Sequence, residues 1–246
     1  MMRARSAASS NPIAASTPPD TRLYAIGDIH GCADLLIETI ERIERDLERR
    51  PIRSSVEIYL GDYVDRGPDA KAVIDVLAAR LVEGRAVCLR GNHEDLMERF
   101  LRDPIHLEAW LQLGGLQTLA SYGVTPRTDR VESDKTLHRR FCEAFPRAHE
   151  LFLQCLKPWC ACGDYLFVHA GIRPGIPLEA QKLGDLLWIR DEFLTSQRDH
   201  GKLIVHGHSP VPHPDIHHNR INIDTGACWT GTLTCLALEG TSILFL

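Results

Sequence analysis

The sequence predicts an α/β fold. A strand-like apolar stretch, a polar glycine-rich turn and an amphipathic helical stretch follow one another in fixed order, the unit recurs three times, and strand-like stretches return in the last third of the chain. Leu23 to Ile26 is the first strand and runs into Gly27-Asp28-Ile29-His30-Gly31. Leu36, Ile40, Ile43 and Leu47 then share one helical face, and Pro51 ends that helix. Val56 to Leu60 enters Gly61-Asp62-Tyr63-Val64-Asp65-Arg66-Gly67, followed by the stripe Ala70, Val73, Ile74, Leu77 and Leu81. Ala86 to Leu89 enters Arg90-Gly91-Asn92-His93-Glu94. Right-handed crossovers between such units place all three turns at the C-terminal edge of one sheet, where open α/β sheets hold their ligands.

Residues 95–158 read as helical, with Trp110, Leu113, Leu116 and Leu119 as packing positions and Pro126 and Pro146 as breaks. This stretch is expected to be a helical insertion beside the site, not a separate domain. Strands return at Tyr165 to Val168, Leu203 to Val205, Ile221 to Ile223, Leu233 to Leu238 and Ser242 to Leu246. Residues 1–20, rich in Ser, Ala and Pro, read as a disordered tail without an apolar core for a signal peptide, and 21–246 as one domain.

Composition narrows the partners. A formal net charge of -5 argues against a nucleic-acid binder, which needs a basic surplus. No apolar run reaches the eighteen or so residues of a membrane span. The eight cysteines form no CxxC pair, so reduced thiols in the cytoplasm are the expected state.

Asp28, His30, Asp62, Asn92, His169 and His208 all fall at or just past predicted strand ends. Carboxylate, imidazole and amide oxygens suit Mn²⁺, Fe or Zn²⁺ better than a thiolate site would. Six ligands exceed a tetrahedral zinc site and suit two ions sharing a carboxylate, which in such sites lie ~3.5–4 Å apart. Against these stand blander assignments: His206 as a hydrogen-bonded strand residue, His213, His217 and His218 as a solvated loop, Cys32 as packing, and Glu94 as a cap or ion-pair partner near the site.

GDIHG at 27–31, GDYVDRG at 61–67, RGNHE at 90–94, HAG at 169–171 and HGHS at 206–209 occur in that order. Together they resemble the motifs of the calcineurin-like metallophosphoesterases, in the phosphoprotein phosphatase branch of the bacterial and bacteriophage lambda type. WLQLGG at 110–115, LLWIRDEF at 186–193 and IDTGACWTGTLT at 223–234 extend the likeness. The fifth motif lacks the GHxH form of other metallophosphoesterases, which agrees with that branch. The resemblance implies a central β-sandwich of mixed sheets flanked by helices. It also implies two divalent ions, Mn²⁺ first, with Asp28 and His30 on one, Asn92, His169 and His208 on the other, and Asp62 bridging. A hydroxide activated by both ions attacks phosphorus, His93 paired with Asp65 protonates the leaving oxygen, and Arg66 and Arg190 hold the phosphate, with Asn92 contributing.

The implied reaction is hydrolysis of phosphoserine or phosphothreonine in proteins. A second substrate is diadenosine tetraphosphate, cleaved symmetrically by hydrolases with a very similar motif set that favours GNHD over the GNHE found here. Trp110, Tyr122 and Trp159 are the aromatic surfaces such a substrate would call for. A non-catalytic module that only holds phosphorylated ligands is the third reading, and the complete motif set argues against it.

Overall fold

The computed structural model describes residues 15–126 and 133–246. Its strands are β1 (Thr21–Ile26), β2 (Ser54–Tyr59), β3 (Ala86–Cys88), β4 (Trp159–Cys162), β5 (Tyr165–Val168), β6 (Leu203–His206), β7 (Asp215–Ile216), β8 (Arg220–Asn222), β9 (Cys235–Glu239) and β10 (Ser242–Phe245). The helices are α1 (Ala33–Arg49), α2 (Ala70–Val82), α3 (Asn92–Arg102), α4 (Leu107–Leu111), α5 (Gly115–Ser121), α6 (Asp134–Ala144), α7 (Arg147–Cys155), α8 (Leu183–Trp188), α9 (Asp191–Leu194) and α10 (Ala227–Thr230).

Two five-stranded mixed sheets result, ordered β10-β9-β1-β2-β3 and β4-β5-β6-β8-β7. β1, β2 and β3 are parallel, as the three repeated units require, and so are β5, β6 and β8. Period-two alternation separates three apolar layers. Leu23, Ala25 and Ile58 of the first sheet meet Tyr165, Phe167, Val205 and Ile221 of the second, forming the centre of a sandwich. Tyr24, Ile26 and Tyr59 face the opposite way, onto α1, α2 and the helices after β3. Leu166, Val168 and Ile204 cover the outer side of the second sheet together with Leu186, Ile189 and Phe193. The α/β sandwich flanked by helices is therefore what the chain adopts.

Some elements differ from the sequence reading. β4 and β7 are short antiparallel edge strands that the sequence did not signal. Leu116 is exposed, whereas Trp110 and Leu119 are fully buried, because α5 turns its Thr118–Leu119 side inward. The expected tail over residues 1–20 lies outside the described residues as far as residue 14. From 15 to 20 the chain is packed: Ala15 and Thr17 are buried, and the Ser16 amide donates to Asp164 at 3.0 Å. Within 95–158 the described residues contain helices and no strand. Phe100, Trp110 and Phe141 form their aromatic centre, with ring centroids 5.0 to 5.9 Å apart.

The turns after β1, β2 and β3 are tied to one another. The Asp62 carbonyl accepts from the amides of Ile29 at 3.0 Å and His30 at 2.8 Å, and Tyr63 O accepts from Gly31 N at 2.8 Å. Glu94, fully buried at the start of α3, turns its carboxylate onto backbone amides: Tyr63 at 2.7 Å, Asp62 and Gly91 at 2.9 Å, and Val64 at 3.3 Å. Burial pushes its carboxyl up to about 7, and these donors act in the opposite direction. Removing the acceptor strands several buried N–H groups at ~1–3 kcal/mol each. Glu94→Ala should therefore lower unfolding free energy by about 3 kcal/mol or more, read by urea denaturation of the metal-free protein. A loss under ~1 kcal/mol would mean that water replaces these bonds and that Glu94 does not organise the turns.

Candidate metal centre

Among the described residues six non-glycine residues have positive φ, and five of them are His30, Asp62, Asp65, Arg66 and His208, with φ between 46° and 71°. Left-handed backbone is costly for such residues and persists where the surroundings over-determine it. Here close backbone approach enforces it. A Cβ on Gly67 would lie 2.0 Å from the His30 carbonyl, and one on Gly91 would lie 2.2 Å from Asp62 Oδ1. The motif glycines therefore let the turns interlock, and the strained residues between them point their side chains to one place.

That place is centred on Asp62, just past the end of β2 and 2% exposed. Its Oδ1 lies 3.3 Å from His169 Nε2, and its Oδ2 lies 3.6 Å from His30 Nε2 and 3.7 Å from His93 Nε2. One carboxylate thus presents its two oxygens to different imidazoles, as a bridging ligand must. Asp62, His30 and His93 form one group of close ligand atoms, and Asp62, His169 and His208 form a second. Asn92 Oδ1 sits 2.9 Å from His169 Nε2. Asp28 belongs to neither group by its ligand atoms; its Oδ2 accepts from the His208 backbone amide at 3.0 Å.

The residues fit a pair of cations by several criteria. Asp28 Oδ1 and His208 Nε2 are buried with no hydrogen-bond partner, which is costly unless something positive meets them. His30 Nδ1 lies 2.9 Å from the Val64 carbonyl and His169 Nδ1 lies 2.9 Å from that of Leu60. Each Nδ1 therefore carries the proton, and each Nε2 turns a lone pair toward Asp62. Burial keeps the ligand imidazoles neutral, driving His30 down to about 3, His208 to about 2 and His169 in the same direction. Asp62 moves the other way: burial favours its protonated form, but His169, His93 and His30 hold it below the ordinary carboxylate range. The Arg66 guanidinium reaches within 2.6 Å of His30 Nε2, so a cation already sits at one end of the group.

His93 is bonded through Nδ1 to Asp65 Oδ2 at 2.7 Å, leaving Nε2 aimed into the site. Burial disfavours the imidazolium, but Asp62 and Asp65 override it and raise His93 above its ordinary value. Asp65 is itself fixed by Thr118 Oγ1 at 2.6 Å and Trp110 Nε1 at 3.0 Å, both from the helical insertion. Arg190 reaches Ser209 Oγ at 3.2 Å, beside His208. All ten residues singled out by the sequence thus fall in one neighbourhood.

Other residues were missed. Asp224 is buried next to Asp28; burial and the negative charge of Asp62 push its carboxyl up to about 6, and Asp28 is raised by its own burial and by Asp224. It stands just past β8, the same strand-end position that marked Asp28 and Asp62, so the signal was present. Trp110 and Thr118 carry no such mark, being separated in sequence from Asp65 by 45 and 53 residues. His206 packs edge-on to Phe193 at 5.0 Å on the outer face of the second sheet, away from the ligands. Of the three loop histidines, His217 pairs with Asp215 at 2.9 Å.

Residues 21–237 match the calcineurin-like phosphoesterase family. The chain is 29% identical over 231 residues to the asymmetrical bis(5'-nucleosyl)-tetraphosphatase PrpE of Halalkalibacterium halodurans, covering 86% of this chain and 87% of that one. It is 27% identical over 231 residues to serine/threonine-protein phosphatase 1 of Salmonella typhimurium, covering 88% and 92%. A crystal structure of a putative diadenosine tetraphosphatase superposes with a TM-score of 0.65 at 19% identity, over 94% of this chain and 97% of that one, and so shares the fold. With its five motifs converging on one buried carboxylate, the chain belongs to the calcineurin-like phosphoesterases.

Proposed function

We propose that this chain hydrolyses phosphoric esters or anhydrides at a dinuclear centre. The observation that carries the proposal is the two-sided exposure of Asp62, with Oδ1 facing His169 and Oδ2 facing His30 and His93. Asp28 and His30 would hold one ion, Asn92, His169 and His208 the other, and Asp62 both. Bound there, two divalent ions supply Lewis acidity toward the phosphoryl oxygens and lower the pKa of water. Mn²⁺ is the ion proposed, and Fe or Zn²⁺ suit the same oxygen and nitrogen donors.

The protein groups supply positioning and a proton. Arg66 and Arg190 bring fixed guanidinium forks to the phosphate oxygens. His93 is oriented by Asp65 so that Nε2 can deliver a proton to the departing oxygen. Asp65 in turn cannot rotate, because Thr118 and Trp110 hold its oxygens.

Two substrates suit this chemistry: phosphoserine or phosphothreonine in a protein, and a dinucleoside polyphosphate. The GNHE motif does not separate them, because Glu94 faces backbone amides and never enters the site. The tetraphosphatase relatives support the second substrate, and the Salmonella phosphatase supports the first.

Asp62→Asn should lose both ions and all turnover, and His93→Asn should keep its metal while kcat falls by ~10²–10⁴-fold. Metal content by plasma mass spectrometry, measured beside the rate, checks both; full activity in His93→Asn would remove it as the acid. Phosphate release from a phosphothreonine peptide and from diadenosine tetraphosphate, each with and without Mn²⁺, should depend on metal for whichever substrate is turned over. Turnover of either that survives exhaustive chelation would refute the dinuclear reading.

A further inference from the structure

Among the described residues only three aromatic side chains are exposed: Trp188, Trp229 and Phe245. Trp110 and Tyr122, expected from the sequence as stacking surfaces, are buried at 0% and 8% exposure, and Trp159 is packed on the second sheet's outer cluster. The two exposed tryptophans are not scattered. Trp229, 63% exposed, has the Arg66 guanidinium 4.9 Å from its ring centroid, and that same guanidinium contacts His30. Trp188, 41% exposed, stands edge-on to His208 with centroids 6.0 Å apart. One indole therefore reaches a proposed ligand of the first ion through Arg66, and the other adjoins a proposed ligand of the second.

Local structure fixes Trp229 in this place. It lies on the four-residue α10, bounded by Gly226 and Gly231, both left-handed with φ of 67° and 70°. A Cβ on Gly226 would come 3.1 Å from the indole ring. Gly226 and Arg66 therefore steady the indole, which otherwise lies open to solvent. An indole left that open forgoes burial that a Trp side chain normally gains, so its placement calls for a ligand.

We infer that Trp229 is a nucleobase platform, with Trp188 its counterpart at the other end of the centre, and that the substrate is a nucleoside polyphosphate. This rests on the dinuclear reading above. The indole is separated from His30 by the length of the guanidinium. A base, set off from its phosphates by a ribose, can stack there while the phosphates meet Arg66; a serine or threonine phosphoester brings no ring at all. Base–aromatic stacking tolerates any base because each has a π-face, so the platform selects nucleotides as a class.

The experiment compares diadenosine tetraphosphate with tripolyphosphate, which offers the same anhydride without a base, as Mn²⁺-dependent substrates of the full chain. The readout is the ratio of kcat/KM on the first to kcat/KM on the second. Wild type should favour the base-bearing substrate. Trp229→Ala should cut the ratio about tenfold, mainly through KM, and Trp229→Phe should restore most of it. Trp188→Ala should lower it in the same direction. A ratio unchanged in Trp229→Ala overturns the inference, as does a parallel loss on both substrates, which would make Trp229 only a support for Arg66. If wild type with metal hydrolyses neither substrate but cleaves a phosphothreonine peptide, the inference falls and the dinuclear reading stands; if it cleaves none of the three, the dinuclear reading fails instead. Calorimetric binding of ATP against tripolyphosphate then tests the platform alone, and equal ratios in wild type and Trp229→Ala would sink it.

Discussion

Asp62 must stay ionised inside the protein, and the surrounding structure can be understood as the means of keeping it so. A buried carboxylate ordinarily takes up a proton, because desolvation penalises its charge more than any single neighbour offsets. Around Asp62, positive charge on His169, His93 and His30 opposes that tendency whenever these rings are protonated, and its Oδ1 accepts from the His93 amide at 3.2 Å. Its backbone is equally committed, with the amide given to Glu94 and the carbonyl accepting from Ile29 and His30. Every polar atom of the residue except Oδ2, which faces His30 and His93, is thus hydrogen-bonded, and the backbone holds a left-handed φ of 52° while making these bonds.

The strain is distributed over turns from both sheets. Parallel order in β1-β2-β3 and again in β5-β6-β8 brings six strand ends to one edge of the sandwich. Asp28, Asp62 and Asn92 come from the first sheet, and His169, His208 and Asp224 from the second. Neither sheet alone holds the whole proposed ligand set. The apolar layer between them, with Leu23 and Ile58 against Phe167 and Val205, therefore sets how far apart the ligands stand. Packing density makes such a distance stiff, since filled interiors deform little.

The fold and much of the site were legible because both are written locally. An apolar run followed by Gly-Asp or Gly-Asn gives strand and ligand within five or six residues, and the helical stripes at Leu36–Leu47 and Val73–Leu81 follow directly. What was not legible depends on long-range contact or on exposure. β4 and β7 are edge strands of four and two residues, too short to show a period. Asp65 is held by Trp110 and Thr118 from 45 and 53 residues away, and no spacing rule links them. Whether a tryptophan is core or surface is decided by the whole fold, so Trp110 and Trp229 look alike in the sequence and have opposite roles in the structure.

The helical insertion is consequently more than a cover. It donates to Asp65 through Trp110 and Thr118, and the carbonyl of Gly114 accepts from the Arg66 amide at 3.2 Å. Gly114 has φ of 100°, and a Cβ there would come 2.8 Å from Arg66 N, so this approach requires glycine. The same short segment thus orients Asp65, the partner of the proposed proton donor, and Arg66, the arginine proposed to hold phosphate. Arg66 in turn lies against Trp229. A change in the insertion that moved α4 or α5 by even a fraction of an ångström would act on proton delivery, phosphate position and the exposed indole together. On the proposed roles, substrate choice and catalytic geometry are mechanically coupled through Arg66, which touches both the insertion and Trp229.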